Sequence, residues 1–168
     1  PAPRLFATAS PAPLPQGQAT LMTSTVRRNE GSPASRLKTL GYTDNVLARA
    51  EARAAGADEA LMLNNRGEVA CASAANVFWI RGARLFTPAL ACGVLSGITR
   101  ARVLASAASA GLEPVEIAAD PQNISGADAF FLANSLVGIR PVRVLDGVEI
   151  PQSPTVALLS GLQQSFAT

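Results

Sequence analysis

The stretch Gly93-Val94-Leu95-Ser96-Gly97-Ile98-Thr99-Arg100 marks the point where the chain changes from turn or strand to helix. Residues 98–110 are rich in Ala and predict a helix that begins directly after Gly97. The two glycines let the backbone approach whatever occupies the turn, and a helix start offers unpaired N–H groups and a positive dipole end. Thr99 adds a hydroxyl. This combination predicts a phosphate site; an ordinary loop is the alternative, and the Gly-Lys-[ST] ending of a P-loop is absent.

The remaining segments predict an α/β protein of the α+β type, because strands and helices do not alternate regularly. Strands are expected at residues 19–26, 59–64, 84–87, 113–118, 127–133, 139–144 and 148–150, with a mainly apolar run at 69–80.

Two further helices are expected. One runs from about Thr43 to Ala55, with Val46, Leu47 and Ala50 on its apolar face and Gly56 as its C-cap; the other closes the chain over residues 153–166. Residues 27–36 predict a polar loop that Pro33 keeps from becoming a helix.

Composition narrows the function classes. The chain has 168 residues, of which 48% are hydrophobic, so residues 18–168 are expected to form one domain after a Pro-rich entry segment at 1–17. A net charge of +2, scattered basic residues and 5% aromatics argue against a nucleic-acid partner. The absence of histidine excludes catalysis by histidine and metal binding through histidine. The two cysteines show neither the spacing of a metal site nor a disulfide framework, which suits a reducing cytoplasm. No apolar run reaches membrane-spanning length.

Three positions carry polar chemistry within apolar surroundings. Lys38 lies in a stretch of apolar and small residues, where desolvation would make its amine a nucleophile for Schiff-base chemistry; the alternative is a lysine that snorkels at a helix start. Asn76 stands alone in an apolar run and either ties the backbone or contacts a ligand. Asn134-Ser135 follows an apolar strand and offers donors to an anion, unless it is a simple turn.

The order of several short motifs resembles the class IV aminotransferase family, the pyridoxal-phosphate enzymes of fold type IV. These motifs are Arg36-Leu37-Lys38-Thr39-Leu40, Ala48-Arg49-Ala50-Glu51-Ala52, Gly56-Ala57-Asp58-Glu59-Ala60, Ala74-Ala75-Asn76-Val77-Phe78, Thr87-Pro88, the 93–100 stretch, Ala127-Asp128-Ala129-Phe130-Phe131 and Arg140-Pro141-Val142. The resemblance covers roughly residues 25–150 and implies the larger, cofactor-binding domain, a barrel-like mixed sheet with flanking helices. It also implies that the family's smaller N-terminal domain is absent from this sequence.

The resemblance implies roles for individual residues. Lys38 matches the lysine that bonds to pyridoxal 5′-phosphate and then shuttles protons. Gly97, Ile98 and Thr99 match the phosphate-binding helix start, and Leu95 matches the residue that packs on the ring. Asn76, Asn134 and Ser135 fall among the expected cofactor contacts, whereas Arg27 and Arg28 are candidates for an anion on charge alone.

One position departs from the family. Most members place a glutamate beside the pyridine nitrogen of the cofactor, and this chain has Cys71 there. A thiol offers at best a weak hydrogen bond, so the cofactor is expected to be a weaker electron sink. Glu68 is a poor substitute because it is expected to face differently on its strand.

Within the family, two segments favour the 4-amino-4-deoxychorismate lyases, which act on a small amino substrate, release pyruvate and form 4-aminobenzoate, a folate precursor. These segments are Ala74-Ala75-Asn76-Val77-Phe78-Trp79 and Phe131-Leu132-Ala133-Asn134-Ser135-Leu136. A transaminase of branched-chain or D-amino acids is the alternative, and a non-catalytic remnant of the cofactor domain is a third. The resemblance also implies a homodimer.

Overall fold

The computed structural model describes residues 7–11, 15 and 17–151. These residues form two α-helices, α1 (Thr43–Ala54) and α2 (Ile98–Ser106), and nine strands. The strands are β1 (Ala19–Thr23), β2 (Glu59–Leu63), β3 (Val69–Ala72), β4 (Asn76–Arg81), β5 (Arg84–Pro88), β6 (Glu113–Ile117), β7 (Ala129–Asn134), β8 (Gly138–Leu145) and β9 (Val148–Glu149). The helix expected over residues 153–166 lies outside the described residues.

The strands form one curled, mixed sheet. Its order is β3-β2-β1-β8-β7-β4-β5-β6, with β9 paired to β8 as a hairpin. The pairs β1–β2, β1–β8 and β5–β6 are parallel, and the other neighbours are antiparallel. The amide of Val69 at the start of β3 donates to the carbonyl of Ala119 just after β6, at 2.8 Å, so the two ends of the sheet meet. The expected α/β fold with a barrel-like sheet and flanking helices is therefore confirmed.

Apolar packing covers both faces of the central strands. Along β4, Val77 and Trp79 belong to the cluster inside the curled sheet, while Phe78 and Ile80 pack towards α2. The ring of Phe78 stacks on that of Phe131 in β7 with centroids 5.1 Å apart. A strand that is buried on both faces has a continuous run of apolar residues instead of alternating apolar and polar residues. The sequence of β4 shows such a continuous run.

The sequence pattern predicted the wrong buried face for α1. Val46 and Leu47 are 64% and 54% exposed, and Ala50 is also exposed. The helix instead buries Asn45, Ala48 and Ala52. These small residues let α1 approach β2 closely, in the cluster that contains Ala60 and Met62. The close approach of α1 to the sheet therefore decides which face of the helix is buried, although Val46 and Leu47 are larger and more apolar.

Several predicted boundaries also change. The first strand ends at Thr23 rather than Val26, because the amide and hydroxyl of Thr23 both donate to the Asp146 carboxylate. Pro33 starts a short 3-10 turn, Pro33–Arg36, instead of excluding helical backbone, since proline is tolerated at a first helical position.

The apolar run at 69–80 contains two strands, and its polar interruption forms the turn between them. Helix α2 ends at Ser106, after which a 3-10 turn (Ala108–Ala110) leads to Gly111 in the left-handed region. The predicted C-cap Gly56 has φ +79°, as a helix end with glycine requires. Neither of the described helices is long and apolar enough to cross a membrane.

Candidate functional site

A cavity of about 510 Å³ lies where α2, the end of β3, the start of β4 and the end of β7 meet. The sequence analysis placed its site candidates on segments that are far apart along the chain, and the fold brings them to this cavity with one exception. Arg27 is exposed and does not line the cavity, whereas its neighbour Arg28 does. The lining of the cavity includes Lys38, Cys71, Asn76, Leu95, Gly97, Ile98, Thr99, Asn134 and Ser135.

The start of α2 is rich in donors. No acceptor among the described residues takes the amide N–H of Ile98 or Thr99, and Gly97 provides no side-chain cap. The hydroxyl of Thr99 lies 3.4 Å from that of Ser135, so two hydroxyls and the helix start share one small volume. Unpaired amides, hydroxyls and the positive end of a helix are the groups that bind a phosphate.

Gly97 is required here by a close approach rather than by its backbone angle, since its φ is −71°. A Cβ atom at this position would overlap with the side-chain oxygen of Asn76. The Asn76 amide in turn donates to the carbonyl of Leu95 at 2.9 Å. Asn76 thus binds the backbone, which is the first of the two roles expected for it from the sequence. It fixes the turn that precedes α2.

We expect Gly97→Ala to destabilise the fold by about 1–3 kcal/mol, because the added methyl group must displace Asn76 from Leu95. Thermal or urea unfolding measures this change. The cost should shrink when Asn76 is also replaced by alanine, so a double-mutant cycle should show coupling between the two sites. Gly31→Ala is the matched control, since its Cβ atom would lie 3.4 Å from the nearest side-chain atom, in ordinary contact. Equal costs for the two glycines would contradict the prediction.

Asn134 is also committed to the backbone. Its side-chain oxygen accepts from the amides of Leu136 and Val137, both at 2.9 Å, and its amide group donates to the carbonyl of Ala74 at 3.0 Å. Asn134 therefore shapes the turn after β7, and this turn presents Ser135 to Thr99. Of the pair predicted at this position, Ser135 has the hydroxyl that remains available to a ligand.

Lys38 reaches the cavity from the loop before α1. Its Nζ atom lies 4.7 Å from the centroid of the Tyr42 ring, which also lines the cavity. The expected desolvation of Lys38 is not observed: the residue is exposed. Its loop follows the 3-10 turn Pro33–Arg36 and belongs to no strand or helix. Tyr42 was not among the residues predicted from the sequence, although its position close after Lys38 at the helix start was a usable signal.

Cys71 lies on β3 and is 7% exposed, packed with Met62 and Val94. Burial raises the pKa of its thiol to about 11, while the charge of Arg28 acts in the opposite direction. The thiol is therefore neutral at physiological pH. Glu68 does not replace it, because its carboxylate binds Arg66 and Asn64 instead of lining the cavity.

The charge of the cavity lining is positive. Lys38 and Arg28 line it, and no Asp or Glu does so within the part of the chain that the structure describes. The same residues contain no group of three His, Cys, Asp or Glu side chains that could hold a metal ion. The arrangement suits an anionic organic ligand that presents a phosphate to α2 and a carbonyl group to Lys38.

Comparisons with known proteins identify the family of this chain. Residues 1–145 match the family described as amino-transferase class IV. A branched-chain-amino-acid aminotransferase of Pseudomonas aeruginosa is 34% identical over 155 residues, which cover 91% of this chain and 50% of that protein. Among solved structures, a Legionella pneumophila protein assigned provisionally as a 4-amino-4-deoxychorismate lyase superimposes with a TM-score of 0.83 at 33% identity, covering 92% of this chain and 58% of that one.

A second solved structure is the branched-chain amino acid aminotransferase of Thermobaculum terrenum in its PLP-form, with a TM-score of 0.83 and 32% identity over 89% of this chain and 50% of that one. The chain thus spans about half the length of these relatives. Because the family match extends over most of the sequence and the fold agrees with that of solved members, the chain belongs to the class IV amino-transferase family.

Proposed function

We propose that this chain binds pyridoxal 5′-phosphate in the cavity and uses Lys38 as its catalytic residue. The observation that carries the proposal is the meeting of a phosphate-type site at the start of α2 with the amine of Lys38 in one cavity of about 510 Å³. Lys38 is also the only lysine in the sequence, so it is the one side chain that can supply a primary amine.

The residues present fit this cofactor. The free amides of Ile98 and Thr99 and the hydroxyls of Thr99 and Ser135 would bind the phosphate. Leu95, whose backbone Asn76 holds, would pack against the ring. The positive lining compensates the negative charge of the phosphate.

When bound, pyridoxal phosphate supplies an electron sink that stabilises negative charge on the substrate carbon next to the amino group. Lys38 would present its Nζ atom for covalent attachment of the cofactor and would then take the proton from that substrate carbon. The neutral Cys71 thiol cannot supply a carboxylate to hold a proton on a ring nitrogen. The residues at this end of the cavity therefore support a weaker electron sink than a glutamate would.

Our preferred reaction is that of a 4-amino-4-deoxychorismate lyase. Lys38 would remove the proton from the carbon that bears the amino group and later protonate the departing three-carbon group, which leaves as pyruvate. The formation of the aromatic ring of 4-aminobenzoate supplies much of the driving force, so a weaker electron sink suffices. The segments 74–79 and 131–136 support this choice, and both contribute residues to the cavity lining.

Transamination of branched-chain or D-amino acids is the second candidate. It is supported by relatives of this chain, since the Pseudomonas aeruginosa protein and a 29% identical protein of Salmonella typhimurium are branched-chain-amino-acid aminotransferases.

The two reactions separate in a direct assay. Protein supplied with pyridoxal 5′-phosphate would be given 4-amino-4-deoxychorismate, with formation of 4-aminobenzoate and pyruvate as the readout, or leucine and 2-oxoglutarate, with glutamate as the readout. We expect the first pair of products. Glutamate formation alone would favour the transaminase, and neither product, with the cofactor bound, would favour a non-catalytic protein.

We expect Thr99→Val to weaken binding of pyridoxal 5′-phosphate by about 1–3 kcal/mol, because valine keeps the shape of threonine but cannot donate to a phosphate oxygen. Absorbance titration of the cofactor measures the change, and inorganic phosphate should show a loss in the same direction. Thr43→Val is the matched control, since Thr43 begins α1, is exposed and does not line the cavity. An unchanged affinity in Thr99→Val would place the phosphate elsewhere.

We further propose a cytoplasmic homodimer that acts on a small amino substrate without a nucleic-acid partner. The family resemblance supports the dimer, and two unpaired, buried cysteines support a reducing compartment. Sedimentation analysis of the purified protein tests the dimer.

A further inference from the structure

Arg28 is a buried cation with an unusual set of partners. It is 7% exposed, and its Nε and Nη1 atoms donate to the carbonyl of Gly93 at 3.0 Å and to the side-chain oxygen of Asn45 at 2.8 Å. Its Nη2 atom donates to the carbonyl of Ser35. All three acceptors are uncharged, and no carboxylate of the described residues forms an ion pair with Arg28. Burying a charge in this way is costly unless its hydrogen bonds are well made.

The three partners belong to three different parts of the site. Ser35 lies shortly before Lys38, Asn45 lies in the first turn of α1 shortly after it, and Gly93 opens the turn that leads to α2. Asn45 extends the network, because its amide donates to the carbonyl of Ser73 in the turn between β3 and β4. One guanidinium thus joins both sides of the Lys38 loop, which we define as residues 37–42, to the segment before the proposed phosphate site.

The Lys38 loop needs such an anchor because packing does not hold it. It belongs to no strand or helix, and Leu37, Lys38 and Leu40 are exposed. Arg28 is itself fixed to the sheet, since its backbone amide donates to the carbonyl of Leu63 at the end of β2, at 2.8 Å. Arg28 therefore connects the residues on both sides of the Lys38 loop to the end of β2 and to the turn before α2.

We propose that Arg28 is a positioning residue that holds the Lys38 amine at the correct distance from the phosphate site. This inference rests on the proposed function. Only arginine suits the task, because its planar group has five N–H donors in a fixed fork and can reach three acceptors in different directions. A lysine at position 28 would keep the charge but could not bridge the three segments in the same way.

The test separates covalent attachment from simple binding. Pyridoxal 5′-phosphate can bond to Lys38, whereas pyridoxamine 5′-phosphate has no aldehyde and cannot. We expect Arg28→Lys to weaken binding of pyridoxal phosphate roughly tenfold, through loss of attachment at Lys38, and to leave the affinity for pyridoxamine phosphate nearly unchanged. Borohydride reduction followed by mass spectrometry measures attachment, and absorbance titration measures both affinities.

Arg100→Lys is the matched control. Arg100 is 4% exposed and donates to the carbonyl of Pro88 and to Glu116, but it does not line the cavity. We expect this variant to lower the melting temperature without separating the two affinities. Asn45→Ala removes one Arg28 partner and should show the Arg28→Lys pattern in weaker form, which keeps the test informative if Arg28→Lys does not fold.

Two results would overturn the proposal. Equal losses for both ligands in Arg28→Lys and Asn45→Ala would mean that Arg28 contacts the ligand or only stabilises the fold, and unchanged attachment in both variants would mean that Lys38 is positioned without it. Failure of the proposed function looks different, because the unmodified protein would then carry no reduced adduct on Lys38.

Discussion

Replacing Lys38 with alanine is expected to abolish covalent attachment of pyridoxal 5′-phosphate and to lower the rate of catalysis by roughly 10²–10⁴-fold, the range for loss of a positioned proton-transfer group. The physical reason is that no other side chain of the protein can supply a primary amine, since Lys38 is the only lysine in the sequence. Borohydride reduction followed by peptide mass spectrometry measures the attachment directly. The absorbance band of the covalently attached cofactor should disappear in the same variant.

The fold should survive this change because Lys38 is exposed and makes its cation–π contact only with Tyr42, among the contacts described for its amine. Circular dichroism and thermal melting should therefore match those of the unmodified protein. Lys38→Arg is the control for charge: it keeps a cation in the cavity but cannot form the adduct. A reduced adduct that persists in Lys38→Ala would exclude this assignment.

The sequence predicted helix ends and turns that depend on the backbone preferences of single residues. The start of α2 after Gly97 and the turn at Gly56 follow from backbone preferences of single residues, and the structure has both. No single motif indicated that the candidate residues share one site. That expectation came from the family resemblance, which rests on the order of several motifs. Asn76 shows the limit of a local interpretation, because only the fold reveals that its partner is Leu95 and that Gly97 must make room for it.

Long-range contacts explain what the sequence did not predict. The apolar periodicity of α1 pointed to Val46 and Leu47, yet the helix buries Asn45 and Ala48, since its closeness to β2 favours small residues. The buried Asn45 side chain accepts a hydrogen bond from Arg28, and these two residues are far apart in the sequence. Arg28 itself had been a candidate for an anion on charge alone, whereas its three bonds run to protein oxygens.

Cys71→Glu is expected to raise the rate of transamination of alanine or a branched-chain amino acid by about tenfold, provided that the fold accepts the larger side chain. A carboxylate at this position would favour a protonated ring nitrogen and so stabilise the negative charge that develops on the substrate carbon. The native thiol cannot do so, because burial raises its pKa to about 11 and keeps it neutral. Arg28, which acts on Cys71 electrostatically, would partly compensate the charge of the new carboxylate.

Transamination needs negative charge on the substrate carbon once for each of its two amino-group transfers, whereas the lyase reaction needs it once and gains the stability of an aromatic product. The substitution should therefore change the ratio of the two activities, which an assay of glutamate against 4-aminobenzoate measures in the same preparation. Cys71→Gln is the matched control, since glutamine has the size of glutamate without its charge and should lower both activities or leave them unchanged. If the unmodified protein already transaminates at about 10 per second, the typical rate of an enzyme, the thiol does not limit the electron sink and the transaminase becomes the preferred function.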